Sequence, residues 1–437
     1  MKNEKKSLSI LKKLSASLAV VFTMSCSLSA CDISSFIPEN PNMGGGNTNI
    51  EQPTPEDPNK GETGNGTTEN PNNPNTPNEG NGGQEGGGQT PSDPDNPNEG
   101  SGGSQDNPNE GNGGNQDDQN ENKPQKNTEL SVHFLEFENK KSGDCTLIKT
   151  GDTEVLIDAG STRGSADDVN KYLKKYCTDG VLEYVIATHA HEDHIAAFVG
   201  DDSHPGVFSQ FETGIIIDYT GKKTTSQVSK DYESARDAEV QAGATHYTAL
   251  ECWKEQNGAK RTYELGENIT LNILYQKYYG QSTTNENNYS VCVLLSENDN
   301  HYLFTGDLEE GGESSLVENN NLPKCKVYKG GHHGSKTSST DTLLQKIQPE
   351  IVCVCSCAGD TNSFPHQEFI DRISVWTDQV YLTRMIWNGV SQSMNGNIVV
   401  TSLNGEVSVN CTNNNILLKD TEWFKANRTL PTKWRTA

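Results

Sequence analysis

The chain has 437 residues and a formal net charge of −25, and only 31% of its residues are hydrophobic. The deficit is concentrated in residues 51–127, which contain no hydrophobic residue and carry 15 acidic residues against 3 lysines. This distribution excludes a bundle of membrane-spanning helices and a protein that folds along its whole length. The acidic excess also disfavours nucleic-acid binding through bulk charge.

The first 30 residues have the order of an export signal. Five lysines lie in the first 13 residues, an apolar stretch occupies 14–24, and Leu28-Ser29-Ala30-Cys31 follows. This order is typical of a secretory signal, and the apolar stretch is too short for a membrane-spanning helix. The last four residues resemble the bacterial lipoprotein box, which implies a signal peptide over 1–30 and a lipid on Cys31. The alternative is a secreted protein without the lipid.

Residues 31–127 are predicted to form a disordered linker rich in Asn, Gly, Pro and Glu. Such a segment buries too little apolar surface to offset the entropy lost on ordering. An imperfect repeat at 75–80, 95–100 and 106–111 is more typical of a spacer than of a folded array. As a flexible coil, residues 51–127 would span about 50 Å. We therefore expect a domain tethered to the extracellular face of a bacterial membrane, touching it only through the lipid anchor.

Residues 128–410 have the alternating pattern of an α/β domain, with a net charge of −15 over 128–437. Helical spacing is present at 165–177, 340–347 and 366–375. Apolar runs predict strands at 130–136, 144–149, 154–159, 181–188, 214–217, 269–275, 289–295, 301–305, 324–328, 351–355, 379–382, 397–402 and 406–410. This mixture predicts a single layered domain.

Cysteine use favours buried thiols over a disulfide framework. Once Cys26 and Cys31 are assigned to the signal and the lipid, nine cysteines remain, and an odd number cannot pair completely within one chain. Cys353, Cys355 and Cys357 alternate and would share one face of a strand. We interpret them as small buried hydrophobic residues, with metal binding or redox chemistry as the alternative.

The C-terminal tail, residues 411–437, carries no chemical motif. Its aromatic residues Trp423, Phe424 and Trp434 are expected to pack back on the domain. Carbohydrate binding through these rings is the alternative.

The strongest chemical signal is Thr188-His189-Ala190-His191-Glu192-Asp193-His194, directly after an apolar strand. Three imidazoles and a carboxylate within six residues are the ligand types that zinc and similar metals prefer. His189 and His191 alternate on extended backbone, whereas Asp193 and His194 follow after a turn. This arrangement suits two adjacent metal ions better than one.

Three other segments place potential ligands at strand ends. Asp158 lies before Gly160, Asp307 follows Gly306, and His332-His333 lie in a Gly-Gly-His-His-Gly-Ser run. Each is weak alone, because an Asp next to Gly is usually a turn residue. In this order behind the histidine motif, they indicate one shared metal site.

Together these motifs resemble the metallo-β-lactamase superfamily, and within it the extracellular hydrolase domain of ComEC. The resemblance covers about 129–410 and depends on Gly143-Asp144, 156–160, 189–194, 288–290, 304–307, 331–338 and 356–366. It implies a four-layer αββα sandwich with the metal site at one edge of two facing sheets.

The resemblance also implies two divalent metal ions, with zinc expected and manganese as the alternative. His189 and His191 would hold the first ion, and Asp193 and His194 the second. Asp307 matches the carboxylate that bridges them.

Three features of the ligand set stay open or indirect. Either His332 or His333 matches the last ligand of the second ion, and the sequence does not choose between them. Asp158 matches an acid that orients the histidine motif without binding metal. The superfamily's additional histidine for the first ion is absent from its usual context; the candidates nearby are His204, His246 and Asp218, each with an ordinary structural role as the alternative.

These residues predict hydrolysis by a metal-activated water. Asp193 would orient the hydroxide or take its proton, and His366 would contact the substrate or protonate the leaving group, with a simple helix-start role as its alternative. The favoured substrate is an anionic phosphodiester, either DNA or a cell-wall polymer, which suggests a phosphodiesterase or nuclease. The alternatives are a hydrolase of lactones or amides and a non-catalytic surface binding protein. The sequence leaves the oligomeric state open.

Overall fold

The computed structural model describes residues 129–435, which form two eight-stranded sheets. The first sheet has the order β16-β15-β1-β2-β3-β4-β5-β6 and the second β14-β13-β12-β11-β10-β9-β8-β7. The predicted signal peptide, Cys31 and the predicted linker lie outside the described residues. Within 129–435, no helix is long and apolar enough to cross a membrane.

The first sheet joins antiparallel and parallel strands. Its strands are β1 (Leu130–Phe134), β2 (Thr146–Thr150), β3 (Thr153–Ile157), β4 (Val181–Ile186), β5 (Glu212–Asp218), β6 (Thr245–Thr248), β15 (Ile398–Leu403) and β16 (Glu406–Cys411). Strands β3 to β6 run parallel, so their carboxyl ends meet at one edge.

The second sheet repeats this arrangement. Its strands are β7 (Thr262–Gly266), β8 (Ile269–Leu274), β9 (Cys292–Glu297), β10 (Asn300–Phe304), β11 (Val327–Lys329), β12 (Ile351–Ala358), β13 (Val380–Trp387) and β14 (Val390–Ser393). Strands β10 to β13 run parallel, and the loops after β10, β11 and β12 therefore start from one edge.

Helices cover the outer faces of both sheets. They are α1 (Ala166–Tyr176), α2 (Glu192–Val199), α3 (Val207–Gln210), α4 (Gln227–Ala242), α5 (Ala249–Lys254), α6 (Glu310–Asn319), α7 (Asp341–Ile347), α8 (Gln367–Ile373), α9 (Glu422–Asn427) and α10 (Thr432–Arg435). Short 3₁₀ turns occupy Arg163–Ser165, Lys277–Tyr279, Glu286–Tyr289, Gly331–Gly334 and Leu418–Asp420.

The main hydrophobic core lies between the two sheets. Phe134 of β1 stacks on Phe304 of β10, with ring centroids 6.2 Å apart, and both rings are buried. A second core under the outer face of the second sheet includes Leu316 of α6, Leu343 of α7 and Phe369 of α8. The predicted α/β class with its four-layer αββα sandwich is confirmed.

The alternating strand β12 separates these two cores. Cys353 and Cys355 contribute to the core between the sheets, whereas Val352 and Val354 contribute to the outer core. All nine described cysteines are free, and all but Cys411 are buried. This placement agrees with their interpretation as small hydrophobic residues.

The C-terminal residues pack on the second sheet, as expected from their aromatic content. Trp423 and Phe424 of α9 and Trp434 of α10 are buried in the outer core. The Trp434 indole donates a hydrogen bond to the Thr377 carbonyl (2.8 Å), which is how a buried Trp satisfies its N–H group.

Candidate metal centre

The histidine motif links β4 to α2 at the shared strand edge. His191 is extended (φ −73°, ψ 149°) and precedes the first residue of α2. Glu192 and Asp193 occupy the first helical turn, where acidic groups interact favourably with the helix dipole. The apolar residues 195–198 anchor this helix in the protein, and His194 consequently projects from its first turn into a fully buried position.

Three close contacts fix the position of this motif. A Cβ atom on Gly160 would lie 2.2 Å from the carbonyl carbon of Asp193, so only glycine allows the β3 loop to approach here. The Asp144 amide donates to the Asp193 carbonyl (3.0 Å), and the Ala159 amide donates to the His194 carbonyl (2.8 Å). Two chain segments, the β1–β2 connection and the loop after β3, therefore hold the motif in one position.

Asp307 is the centre of the cluster. It follows Gly306, whose φ of +54° places it in the left-handed region, and its side chain is buried. Four imidazole Nε2 atoms surround its Oδ2 atom, belonging to His194 at 3.1 Å, His333 at 3.5 Å, His332 at 3.6 Å and His189 at 4.0 Å. One carboxylate oxygen shared by several imidazoles is the arrangement that a bridging ligand needs.

The two adjacent histidines after β11 have different surroundings. Both residues adopt left-handed backbone, with φ of +48° at His332 and +53° at His333. His333 is buried, and its Nε2 lies 3.4 Å from Asp193 Oδ2. His332 is more exposed, and its Nδ1 lies 3.2 Å from Thr337 Oγ1. His333 is thus grouped with Asp193 and His194 as a possible metal site, whereas His332 borders the cluster.

Hydrogen bonds leave the Nε2 atoms of the inner histidines free. His194 Nδ1 lies 2.8 Å from Asp158 Oδ2, and His333 Nδ1 lies 2.9 Å from the Cys355 carbonyl. Since carboxylates and carbonyls only accept, both imidazoles carry their proton on Nδ1 in the neutral form. The Nε2 atoms of His194 and His333, together with Asp307 Oδ1, are buried and make no hydrogen bond within the described residues. Unpartnered ligand atoms of this chemistry fit a divalent metal ion.

The expected site of the first metal ion contains fewer potential ligands than the expected site of the second. His189 is fully buried, and its Nε2 lies 3.0 Å from His191 Nδ1. His189, His194 and Asp307 form one group that could hold a metal ion. The other candidates are engaged elsewhere: Asp218 binds His246 and Arg236, and His204 binds Asp201.

Asp158 is placed to orient the histidine motif. Its oxygens accept from the Thr188 amide (2.7 Å), the Thr188 hydroxyl (2.8 Å) and His194. Burial raises the pKa of Asp158, while the interactions with His194 and Thr188 oppose that rise. The Asp158 carboxylate therefore contacts His194 through Nδ1 and leaves its Nε2 free.

Electrostatics divide the cluster into charged and neutral groups. Burial and the neighbouring His194 hold the pKa of His189 well below its ordinary value. Burial opposes protonation of His333, but Asp307 and Asp144 outweigh it and raise the pKa of His333 to about 10. Burial alone would neutralise Asp307, yet His194 and His333 hold its pKa well below the ordinary value. The centre therefore has ionised carboxylates beside both neutral and proton-binding imidazoles.

His366 lies outside the ligand cluster. It precedes α8, and its Nδ1 accepts a hydrogen bond from the Lys336 amide (3.1 Å). Its ring contacts Phe364 with centroids 5.2 Å apart, and Phe364 in turn lies 5.6 Å from His332 and 5.8 Å from His333. His366 thus contacts the same ring that packs against His332 and His333.

Lys329 was not predicted as part of this centre, and Asp144 was named only within the Gly143-Asp144 motif, without a role at the site. Asp144 Oδ1 lies 3.2 Å from His333 Nδ1, and Asp144 Oδ2 forms an ion pair with Lys329. Lys329 and Asp144 are 3% and 1% exposed. The sequence feature that could have indicated Lys329 is its position at the end of an apolar strand, three residues before the His332-His333 pair.

Comparison with known proteins finds similar sequences for part of the chain. Residues 139–200 match the family model described as the metallo-beta-lactamase superfamily. The chain is 33% identical over 91 residues to Recombination protein 2 of Haemophilus influenzae and 31% identical over 85 residues to ComE operon protein 3 of Bacillus subtilis. These matches cover 21% and 20% of this chain, but the chain spans only 11% of the length of each relative.

One similar solved structure is the metallo-beta-lactamase fold protein YhfI from Bacillus subtilis. It is 12% identical, with a TM-score of 0.36, and the match covers 63% of this chain and all of that one. The matched residues 139–200 include the histidine motif. This part of the chain is therefore similar to the metallo-β-lactamase superfamily, and short regions are similar to Recombination protein 2 and ComE operon protein 3.

Proposed function

We propose that the domain is a phosphodiesterase or nuclease that uses two divalent metal ions, zinc in the first instance and manganese as the alternative. The observation that carries this proposal is the convergence of four imidazole Nε2 atoms on Asp307 Oδ2. Imidazole and carboxylate ligands are those that zinc prefers in catalytic sites. The metallo-β-lactamase fold supports a hydrolase in general, and the phosphodiester is the finer part of the proposal.

The proposed ligands divide into two sets that share Asp307. His189 and His191 would hold the first ion. Asp193, His194 and His333 would hold the second, because their ligand atoms lie within 4.8 Å of one another. The choice of His333 over His332 follows from its burial and its contact with Asp193.

When bound, such a pair of metal ions supplies an activated water and neutralises charge on the substrate's oxygens. The chain's own groups would keep the ligands in place. Asp158 holds His194 in the Nδ1–H tautomer, and the Cys355 carbonyl does the same for His333. Because their Nε2 atoms are fixed, no reorganisation is needed at the moment of reaction.

Two partly exposed side chains are the proposed proton carriers. The side chain of Asp193 is 36% exposed, so the carboxylate at the solvent side of the cluster could orient a water and accept its proton. His366 accepts from the Lys336 amide through Nδ1, which leaves an Nε2–H donor in its neutral form. We assign to His366 the protonation of the leaving group.

An anionic substrate must be recruited by the metal centre and not by the field of the domain. Residues 128–437 have a net charge of −15, which repels a polyanion at long range. We therefore propose that DNA or a phosphorylated cell-wall polymer binds mainly through the phosphate that enters the metal centre. The proposed setting is the extracellular face of a bacterial membrane, with a hydrolase domain at 128–410 on a lipid-anchored linker.

A panel of substrates tests the proposal. We expect metal-dependent cleavage of a bis-aryl phosphodiester or of DNA, with little cleavage of lactones or β-lactams. Asp307→Ala should abolish the activity, whereas Asp202→Ala, which changes an exposed carboxylate, should retain it. Metal-independent activity, or full activity of the Asp307 variant, would contradict the proposed centre. A folded protein that binds ligands from the panel but cleaves none would favour the non-catalytic surface protein.

A further inference from the structure

One loop borders the metal centre on the side of the His332-His333 turn. The Phe364 loop, residues 359–366, follows β12 and carries Phe364 against both histidine rings. The His366 amide donates to the Gly334 carbonyl (2.9 Å), so the loop is also hydrogen-bonded to the turn itself. Residues 361–363 at its tip are exposed. The position of this loop therefore sets how closely a substrate can approach this side of the centre.

The loop is anchored on one side by the β1–β2 connection. Asp360 accepts from the amide of Asn362 (2.9 Å) and from the Ser142 hydroxyl (2.7 Å). Ser142 lies two residues before Asp144, which contacts His333. One end of the loop is consequently fixed to the same segment that supports the centre.

On the opposite side, Arg428 of the C-terminal segment, residues 421–435, donates to two carbonyls of the loop. Arg428 Nε donates to the Pro365 carbonyl (2.8 Å), and Arg428 Nη2 donates to the Ser363 carbonyl (2.5 Å). Its guanidinium lies over the Trp423 ring, 4.9 Å from the centroid. The planar guanidinium can reach both carbonyls at once, which an ammonium group cannot do with the same geometry.

Trp423 and Thr429 bring Arg428 to the loop. Trp423 is 2% exposed, and a Cβ atom on Gly359 would lie 2.9 Å from its Nε1. Gln367 exchanges two hydrogen bonds with the backbone of Thr429, at 2.8 and 2.9 Å. The C-terminal segment thus contacts the protein at both ends of the Phe364 loop, through Trp423 at Gly359 and Thr429 at Gln367. Arg428 lies between these two contacts.

We propose that Arg428 is a positioning residue of the metal centre, which clamps the Phe364 loop against the His332-His333 turn. This inference rests on the proposed metal centre but not on the identity of the substrate. Without the guanidinium, the carbonyls of Ser363 and Pro365 lose their donor and the loop gains freedom to move away from the histidines. The segment then remains attached through its buried aromatic residues, so loss of the clamp is separable from loss of the fold.

The test compares three variants of the full chain: Arg428→Ala, Arg428→Lys and the matched control Arg435→Ala. Arg435 is an exposed arginine of the same segment, and among residues 129–435 its Nε donates to the Leu430 carbonyl, within that segment. Hydrogen exchange of residues 359–366, retention of metal under increasing chelator, and thermal unfolding are measured for each. For Arg428→Ala we expect loop exchange to rise about tenfold or more, the factor produced by losing a charge-assisted hydrogen bond. One of the two metal ions should be released at lower chelator, and Arg428→Lys should give a partial effect.

Two results would overturn the proposal. The first is unchanged loop exchange and metal retention in Arg428→Ala. The second is an equal effect of Arg435→Ala, which would indicate that the segment contributes only to overall stability. If Arg428→Ala does not fold, the proposal is tested with Arg428→Lys. Hydrogen exchange of the Phe364 loop at the wild-type rate in that variant would exclude the clamp. If no substrate in the panel is cleaved, the proposed hydrolase activity is contradicted, but the measured effect of Arg428 on the loop is unaffected. Failure of the proposed function is therefore distinguishable from failure of the proposed clamp.

Discussion

Asp144 and Lys329 form an ion pair that is buried behind the second half of the metal centre. Asp144 uses its other oxygen to contact His333 Nδ1 at 3.2 Å. Burial raises the pKa of Asp144, but Lys329 and His333 outweigh it and hold that pKa below the ordinary value. Asp144 also belongs to two groups that could hold a metal by distance alone. Since the Lys329 ammonium already neutralises it, we interpret Asp144 as a support for His333 and not as a ligand.

Removing one member of this pair should be more damaging than removing both. Lys329→Met leaves the buried carboxylate with His333 but without its ammonium partner, and breaking a buried ion pair in this way costs about 3–5 kcal/mol of unfolding free energy. The double variant Asp144→Asn/Lys329→Met should recover most of that loss while binding metal more weakly, because His333 then lacks its charged partner. Denaturant unfolding of the four proteins of the cycle measures the coupling. Wild-type stability of the single Lys329 variant would exclude an ion pair of this strength.

Asp158→Asn should weaken metal binding without removing a ligand. The amide cannot accept from His194 and the Thr188 groups in the same way, so His194 loses its fixed tautomer. We expect the affinity for one metal ion to fall about 10- to 100-fold, measured by competition with a chromophoric chelator. Asp152→Asn, at an exposed turn, is the control. Equal affinities in the two variants would refute the orienting role.

Metal binding should become weaker as the pH falls. Burial favours a neutral imidazole at His194 and His333, but Asp307 and its neighbours raise the pKa of both. A raised pKa means that these imidazoles bind protons more readily when no metal is bound, and each coordinating nitrogen must release its proton. Proton release during a metal titration in weak buffer, with affinity increasing from pH 6 to pH 8, is the expected outcome. A pH-independent affinity with no proton release would show that these histidines are not ligands.

Glu183 should make the domain less stable as the pH rises. Burial, together with the neighbouring Glu154, raises the pKa of Glu183 to about 7, above the value of about 4.3 for an unfolded chain. The folded state then binds a proton more tightly than the unfolded state, so this contribution is full below about pH 4 and is lost as the pH rises through about 7. Glu183→Gln should therefore raise the melting temperature at pH 8 relative to the wild type and leave it unchanged at pH 4. A melting-temperature difference that is constant between pH 4 and 8 would contradict this assignment.

The sequence predicted the groups whose ligand chemistry is local. The motif at 188–194 places four potential ligands, three imidazoles and a carboxylate, close together in the chain. Asp158, Asp307 and the His332-His333 pair follow strands in the same order as the superfamily motifs. The choice between His332 and His333 depends on left-handed backbone at both positions, which a sequence does not specify for non-glycine residues. Their different burial became apparent only in the folded chain.

Contacts between distant segments were beyond the reach of sequence patterns. Lys329 and Asp144 are paired only because β11 is brought next to the β1–β2 connection, and Arg428 reaches the Phe364 loop only after α9 docks. Helix α4 was missed because its buried face is thin, with Val228 and Ala235 only partly buried around Tyr232. The apolar runs that predicted the central strands are absent from the short edge strands β6, β7 and β14, so the sequence did not predict these three.

The proposal of a two-metal centre is tested most directly by the metal content of the full chain after reconstitution. Elemental analysis is carried out on the wild type and on His189→Ala, His332→Ala and His333→Ala, with folding checked by circular dichroism. We predict two metal ions for the wild type and for His332→Ala, and about one for His189→Ala and His333→Ala. A wild type that folds with fewer than two ions, or a His333→Ala variant that retains both, would contradict the centre described above.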